Sequence, residues 1–235
     1  MIFRGVPLTA ASLGGGIAAS LSVFALLGAK AVDGGVYSWD RFLFRHLYSG
    51  NSVWPKGDTP GRDNDLLQAA LPVLYRGADA RLLLLLASAV VAALLLLDLL
   101  PAAVFYVAAI AVAASSPMMK DVFDRQSPFP VPGEPAFPSG HAMASMAIAA
   151  GLVALLARTR WCWPAVGLAL MYVVGVAVAV VADGGHWPSD VVAGWSLSLA
   201  WVLALIVLVP DPLRNRRDES RDAFVESPPN PYVRS

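Results

Sequence analysis

Charged residues are scarce in this chain of 235 residues: they make up 14% of it, whereas hydrophobic residues make up 57%. A soluble domain has about a quarter of its residues charged. With a mean hydropathy of +0.61, the composition indicates a protein that crosses a membrane several times. The 17 basic and 17 acidic residues cancel, and a net charge of zero gives no reason to expect a nucleic-acid partner.

Cysteine and histidine are also rare. The single cysteine, Cys162, cannot form a disulfide within the chain. The scattered acidic residues do not have the spacing of metal ligands, so the sequence predicts neither a metal nor another cofactor. Of the three histidines, His141 and His186 lie where a polar stretch meets an apolar run, whereas His46 is expected to be a solvated interfacial residue.

What the chain has instead is long apolar runs. As a helix, about 20 apolar residues cross a bilayer core of about 30 Å. Six runs approach or reach that length, and they predict an all-α membrane bundle of about six transmembrane helices: 6–27, 82–97, 99–115, 142–157, 161–182 and 191–209. The first run has an alternative interpretation as a cleaved signal peptide, because Ala29-Lys30-Ala31 resembles a cleavage site.

The runs divide the chain into one membrane-embedded domain, predicted over residues 1–210, and a tail. Residues 211–235 are charged, rich in proline and without apolar periodicity, so they are predicted to form a disordered cytoplasmic tail. In the polar segment after the first run, aromatic and charged residues alternate at helical spacing from Trp39 to Tyr48. This predicts a short amphipathic helix at the membrane interface, and residues 65–75 predict a second one.

The distribution of arginine predicts the orientation in the membrane. An even number of spans puts both termini on one side. Arg4, the short loop with Arg158 and Arg160, and the basic cluster at 214–217 lie on that side, which the positive-inside rule predicts to be cytoplasmic. The polar junctions at the other ends of the helices are then predicted to face outward from the plasma membrane.

The junction Phe137-Pro138-Ser139-Gly140-His141 is the centre of the predicted site. Ser139 is predicted to cap a helix start, whose free N–H groups and positive dipole end form an anion site. His141 lies one residue inside it, at a depth suited to giving a proton to a leaving group. A second junction at 186–190 (His-Trp-Pro-Ser-Asp) and Lys120, after an earlier apolar run, are predicted to meet it on one face.

Each of these residues also has a purely structural interpretation. Lys120 would extend its ammonium group to the interface, Ser139 would only cap its helix, and His186 with Asp190 would form a local hydrogen bond near a helix start. Taken together, the order and the shared sidedness of the three clusters favour a phosphate-binding site over these separate interpretations.

The three clusters resemble the signatures of the type 2 phosphatidic acid phosphatase family, which are integral membrane lipid phosphatases. Lys120 is similar to the lysine of the first signature, and Pro138-Ser139-Gly140-His141 to the core of the second. His186 and Asp190 are similar to the histidine and aspartate of the third, with Gly194 following as in many members. The resemblance covers residues 120–194 and the layout of the spans.

Two positions depart from the family pattern. An arginine is expected seven residues after the lysine, where this chain has Ser127, and another six residues before the histidine, where it has Val180. Arg125 is similar to an earlier arginine of many members and is expected to replace the missing phosphate ligands in part. An arginine binds two phosphoryl oxygens and keeps its charge, so these changes affect the predicted catalysis and substrate rather than the fold.

The resemblance implies a phosphatase that needs no metal. A phosphoryl group would bind to Lys120 and to the N–H groups of the pair Ser139-Gly140. His186, held in one tautomer by Asp190, would attack phosphorus and form a phosphohistidine. His141 would protonate the departing oxygen, and water would then hydrolyse the intermediate.

Three functions remain open on these grounds. The first is outward-facing hydrolysis of a lipid or polyprenyl phosphate or pyrophosphate. The second is transfer of the phosphoryl group from the phosphohistidine to another acceptor. The third is binding of lipid phosphates without catalysis, which the two absent arginines favour. All three imply a membrane lipid phosphate and the bilayer as partners.

Overall fold

The computed structural model describes residues 2–3, 6–7, 9–48, 73, 79–129 and 134–209. Within this part of the chain the fold is all-α, as predicted, apart from a two-residue antiparallel strand pair, β1 (Ile2–Phe3) with β2 (Val6–Pro7). The described helices are α1 (Ala10–Val32), α2 (Ser38–Leu47), α3 (Ala80–Leu96), α4 (Leu100–Ile110), a 3-10 helix (Ala111–Ser115), α5 (Ser116–Phe123), α6 (Gly140–Leu156), α7 (Cys162–Ala182) and α8 (Pro188–Leu208).

Four helical stretches among the described residues are long and apolar enough to cross a membrane. They are α1, α7, α8 and the continuous stretch Leu100–Phe123, which combines α4, the 3-10 helix and α5. The helices α3 and α6 are apolar but shorter, with 17 residues each. The predicted membrane helix bundle is therefore confirmed, and four of its six predicted spans reach full length.

One helical stretch is longer than the apolar run that predicted it. The predicted span 99–115 continues through α5, because Pro117 falls in the first turn of α5, where the missing N–H of proline costs no hydrogen bond. Lys120 consequently lies on this helical stretch rather than after it. The helix ends at Asp124, whose φ of 43° is left-handed.

The helix α2 matches the predicted amphipathic helix near Trp39 to Tyr48. Its apolar residues Phe42 and Leu43 are exposed, whereas its acidic residue Asp40 is completely buried. The second predicted interfacial helix at 65–75 and the predicted tail at 211–235 lie outside the described residues. The location of α2 at a membrane interface stays a prediction.

The helix α6 is the central helix of the bundle, in contact with α4, α7 and α8, and α1 packs along α8. Small residues make these contacts close, as is usual for helices in a membrane. At Gly151, for example, a Cβ atom would lie 3.2 Å from side-chain atoms of Ala109 and Tyr106. The close packing holds the N-terminal ends of α6 and α8 beside each other.

Gly194 sets the distance between these two helix starts. A Cβ atom at this position would lie 2.8 Å from the backbone oxygen of Ser139, closer than real side chains approach. One turn earlier on α8, the backbone carbonyl of Asp190 accepts a hydrogen bond of 3.1 Å from the N–H of Ser139. The glycine therefore allows the contact that joins the second and third sequence clusters.

Replacing Gly194 by alanine should destabilise the bundle by about 1–3 kcal/mol, because an added methyl group meets backbone that cannot move aside easily. The matched control is Gly167→Ala on α7, where a Cβ atom meets nothing within 4 Å. This control should be neutral or stabilising by up to about 1 kcal/mol. Thermal unfolding of both variants in detergent measures the difference, and equal melting temperatures would contradict the proposed close contact.

Candidate active site

The start of α6 has the geometry of an anion site. Ser139 is the N-cap, as predicted, and its side-chain oxygen accepts a hydrogen bond of 3.4 Å from the N–H of Ala142. The first N–H groups of a helix have no acceptor within the helix, which leaves those of Gly140 and His141 for a ligand. The N–H of Ser139 itself is donated to Asp190 and is not free for phosphate.

His186 is oriented by a backbone carbonyl. Its Nδ1 lies 2.9 Å from the oxygen of Ala136. A carbonyl oxygen only accepts, so Nδ1 carries the proton and Nε2 carries the lone pair in the neutral ring. Burial, together with the positive charges of Lys120 and His141, lowers the pKa of His186 to about 3. The imidazole is therefore neutral at physiological pH, which is the state that a nucleophile needs.

Asp190 is close to His186 but makes its hydrogen bonds elsewhere. Its Oδ2 lies 3.9 Å from Nδ1 of His186 and accepts a hydrogen bond of 2.7 Å from the N–H of Trp187. Its Oδ1 accepts from Arg125. The direct contact that fixes the tautomer of His186 is thus with Ala136, while Asp190 holds the turn that follows the histidine.

Arg125 lies behind the site, with 1% of its side chain exposed. It forms ion pairs with Asp190 and with Asp40, the latter at 3.1 Å, and donates a hydrogen bond of 2.8 Å to the hydroxyl of Ser189. The predicted role of Arg125 was to bind phosphate. The structure gives its guanidinium other partners, because two buried carboxylates attract it away from the site opening.

A cavity of about 720 Å³ lies in front of these residues, and four of the predicted site residues line it: Lys120, Gly140, His141 and His186. The other three predicted site residues, Ser139, Arg125 and Asp190, are buried behind it. Ser127 and Val180, which stand where the family pattern has arginines, both line the cavity. These two positions therefore face the space that a ligand would occupy.

The cavity has both apolar and polar lining residues. The apolar side chains come from α3, α4, the 3-10 helix and α6: Leu83, Leu84, Ala87, Ile110, Ala113, Ala144 and Ile148. Among the polar ones, Lys120 is the only lysine or arginine of the described lining residues, together with the carboxylates of Asp79, Glu134 and Asp183. A ligand with one anionic end and one apolar end fits this lining.

Sequence reasoning missed several groups of the site. Asp40 was outside all three clusters, and its only local signal is its position in the first turn of α2, where its Oδ2 accepts from the N–H of Tyr37 at 3.1 Å. Ser189 was within the third cluster but had no assigned role. The role of the Ala136 carbonyl could not be recognised from the sequence, since every residue has a backbone carbonyl.

Comparison with known proteins shows the family of this chain. The family model described as PAP2 superfamily matches residues 83–214, which include every predicted site residue. An undecaprenyl-diphosphatase of Sulfolobus acidocaldarius is 37% identical over 81 residues. That match covers 34% of this chain and 36% of the relative, so the chain spans about a third of that relative. No solved structure matches significantly. The family match covers more than half of the chain, and the protein belongs to the PAP2 superfamily.

Proposed function

We propose that this protein hydrolyses the phosphate or diphosphate ester of a membrane lipid, with a polyprenyl chain as one candidate. Membership of the PAP2 superfamily supports this class of reaction. The partial similarity to a protein named as an undecaprenyl-diphosphatase supports a long isoprenoid lipid. The apolar helices support a location in the membrane, where such a substrate is dissolved.

One observation carries the proposal: two histidines and a lysine line the same cavity as a group of apolar side chains. In the proposed complex the phosphoryl group lies beside His186, with Lys120 near its oxygens. The lipid chain then extends along Leu83 and Ile110 towards the hydrocarbon. A soluble phosphate ester without an apolar chain would gain nothing from those apolar side chains.

The proposed reaction has two steps. In the first, the lone pair on Nε2 of His186 forms a bond to phosphorus while the bond from phosphorus to the leaving oxygen breaks. His141 gives its proton to that oxygen and becomes neutral. In the second step, His141 takes a proton from water, whose oxygen attacks the phosphohistidine and releases inorganic phosphate and neutral His186. The N–H groups at the start of α6 stabilise the charge on the phosphoryl oxygens.

A second candidate is binding of lipid phosphates without turnover, and a specific observation favours it. Neither Ser127 nor Val180 brings a positive charge to the cavity that both line. Losing a contact that stabilises the transition state costs on the order of a hundredfold in rate. Transfer of the phosphoryl group from His186 to an acceptor other than water remains a third candidate within the same chemistry.

The first test is release of inorganic phosphate by the purified protein from a panel of lipid monophosphates and polyprenyl diphosphates. His186→Ala should lower turnover on the order of a thousandfold, since it removes the attacking nitrogen. The matched control is His46→Ala, which changes an exposed histidine on α2 and should keep full activity. Turnover in His186→Ala above a few per cent of the parent, with the protein folded, contradicts the proposed nucleophile.

The missing charges give a second prediction. Val180→Arg should raise kcat/KM for a phosphomonoester about tenfold to a hundredfold, because one charge-assisted hydrogen bond stabilises by about 1.5–3 kcal/mol. Val180→Leu, which changes the volume of the side chain without the charge, should bring no gain. If the parent is inactive and only the Ser127→Arg/Val180→Arg double variant turns over, the binding candidate replaces the phosphatase.

We also propose that the cavity opens outward from the plasma membrane, as the arginine distribution predicts. Glu134 is exposed and lines the cavity, whereas Cys162 is buried. In a Cys162→Ser background, a cysteine substituted by Glu134→Cys should react with a membrane-impermeant thiol reagent added to intact cells. Labelling that occurs only after the cells are broken would place the cavity on the cytoplasmic side.

A further inference from the structure

Asp40 is a buried charge at the back of the cavity, and it belongs to none of the three sequence clusters. It lies on α2, far from them in the chain, and has no exposed surface. Its two oxygens accept four hydrogen bonds: from the N–H of Tyr37 at 3.1 Å, Nη2 of Arg125 at 3.1 Å, the N–H of Ser189 at 2.7 Å and the hydroxyl of Ser189 at 2.7 Å. A buried carboxylate is tolerated when it is paired and hydrogen-bonded in this way.

Two of these bonds hold the first turn of α8. Asp40 accepts from both the backbone and the side chain of Ser189, three residues after His186. The helix start that follows the histidine is therefore attached to α2, none of whose residues lines the cavity. An attachment through two bonds to one residue fixes both the position and the rotation of that turn.

Arg125 extends the connection to His186 by two routes. Through its side chain, it donates to the hydroxyl of Ser189 and to the carboxylate of Asp190. Through its backbone, its carbonyl accepts a hydrogen bond of 2.7 Å from the N–H of Ala136. The carbonyl of Ala136 in turn accepts from Nδ1 of His186. Asp40 therefore binds the side chain of Arg125, and the backbone of Arg125 binds Ala136, whose carbonyl orients His186.

We infer that Asp40 is a positioning residue of this site: it fixes Arg125 and the first turn of α8, and through them the orientation of His186. For its kinetic consequences the inference rests on the proposed function. Asp40 is not among the residues that line the cavity, where the proposed substrate would bind. Its loss should therefore disturb the alignment of the nucleophile rather than the binding of the lipid.

The test compares Asp40→Asn with Arg41→Gln, which changes the exposed neighbour of Asp40 on the same helix. Asp40→Asn should lower kcat on the order of tenfold to a hundredfold, because misplacement of a reacting group has effects of that size. KM should stay within about threefold, as expected when only the alignment changes. Arg41→Gln should leave both constants unchanged. The double variant Asp40→Asn/Arg125→Gln should be no worse than the worse single variant, since the two residues act as one unit.

Ser189→Ala is the milder variant, for use if Asp40→Asn does not fold. It removes the hydroxyl that bridges Asp40 and Arg125 but keeps the backbone bond to Asp40. Ser189→Ala should also lower kcat, but by less than Asp40→Asn does. Folded Asp40→Asn or Ser189→Ala protein with the kcat of the parent would overturn the inference, as would losses that simply multiply in the double variant.

A second readout separates this inference from the proposed function. If the parent protein releases no phosphate from any lipid, the proposed function fails, but the orientation of His186 is still measurable. Nitrogen NMR of histidine-labelled protein has only three side chains to resolve. The parent should show His186 protonated at Nδ1. Asp40→Asn should shift or broaden that signal while Arg41→Gln does not, and an unchanged His186 signal in Asp40→Asn would overturn the positioning role.

Discussion

The ion pairs of one buried guanidinium are the interaction on which the rest of the site depends. Arg125 lies between Asp40 and Asp190, each with no exposed side-chain surface. These residues come from α2, from the segment after α5 and from the start of α8, so the ion pairs join three separate parts of the chain. Removing one member of such a buried group leaves an uncompensated charge, which typically costs about 3–5 kcal/mol. The position of His186 is therefore tied to the integrity of this group.

The arrangement separates the charges that build the site from those that would meet a ligand. Arg125 forms ion pairs with buried carboxylates behind the cavity. Lys120 is the only lysine or arginine among the described residues that line the cavity. The start of α6 supplies part of the missing positive charge, because its free backbone N–H groups carry a partial positive charge. Ser127 and Val180 are the positions at which an arginine would add positive charge to the cavity. Whether Lys120 and these N–H groups stabilise the transition state enough without further arginines decides between turnover and simple binding of a lipid phosphate.

Much of the fold could be predicted from the sequence because it follows from local patterns. Apolar runs gave the membrane helices, and Ser139 gave the start of α6. The residues that line the cavity, such as His141 and His186, were recognisable from their place at helix ends. The role of Asp40 could not be predicted, since its burial depends on contacts made far along the chain. Arg125 was recognised as a charge, but nothing in the sequence shows which of several acidic groups would attract it.

In the proposed mechanism, Nε2 of His186 accepts the phosphoryl group. Rapid quenching of the protein with a lipid phosphate labelled in its phosphoryl group tests it most directly. We expect a transient label on His186, stable in alkali and lost in acid, with close to one label per chain during the first turnover. Phosphate release in which His186 never carries the label would contradict this mechanism.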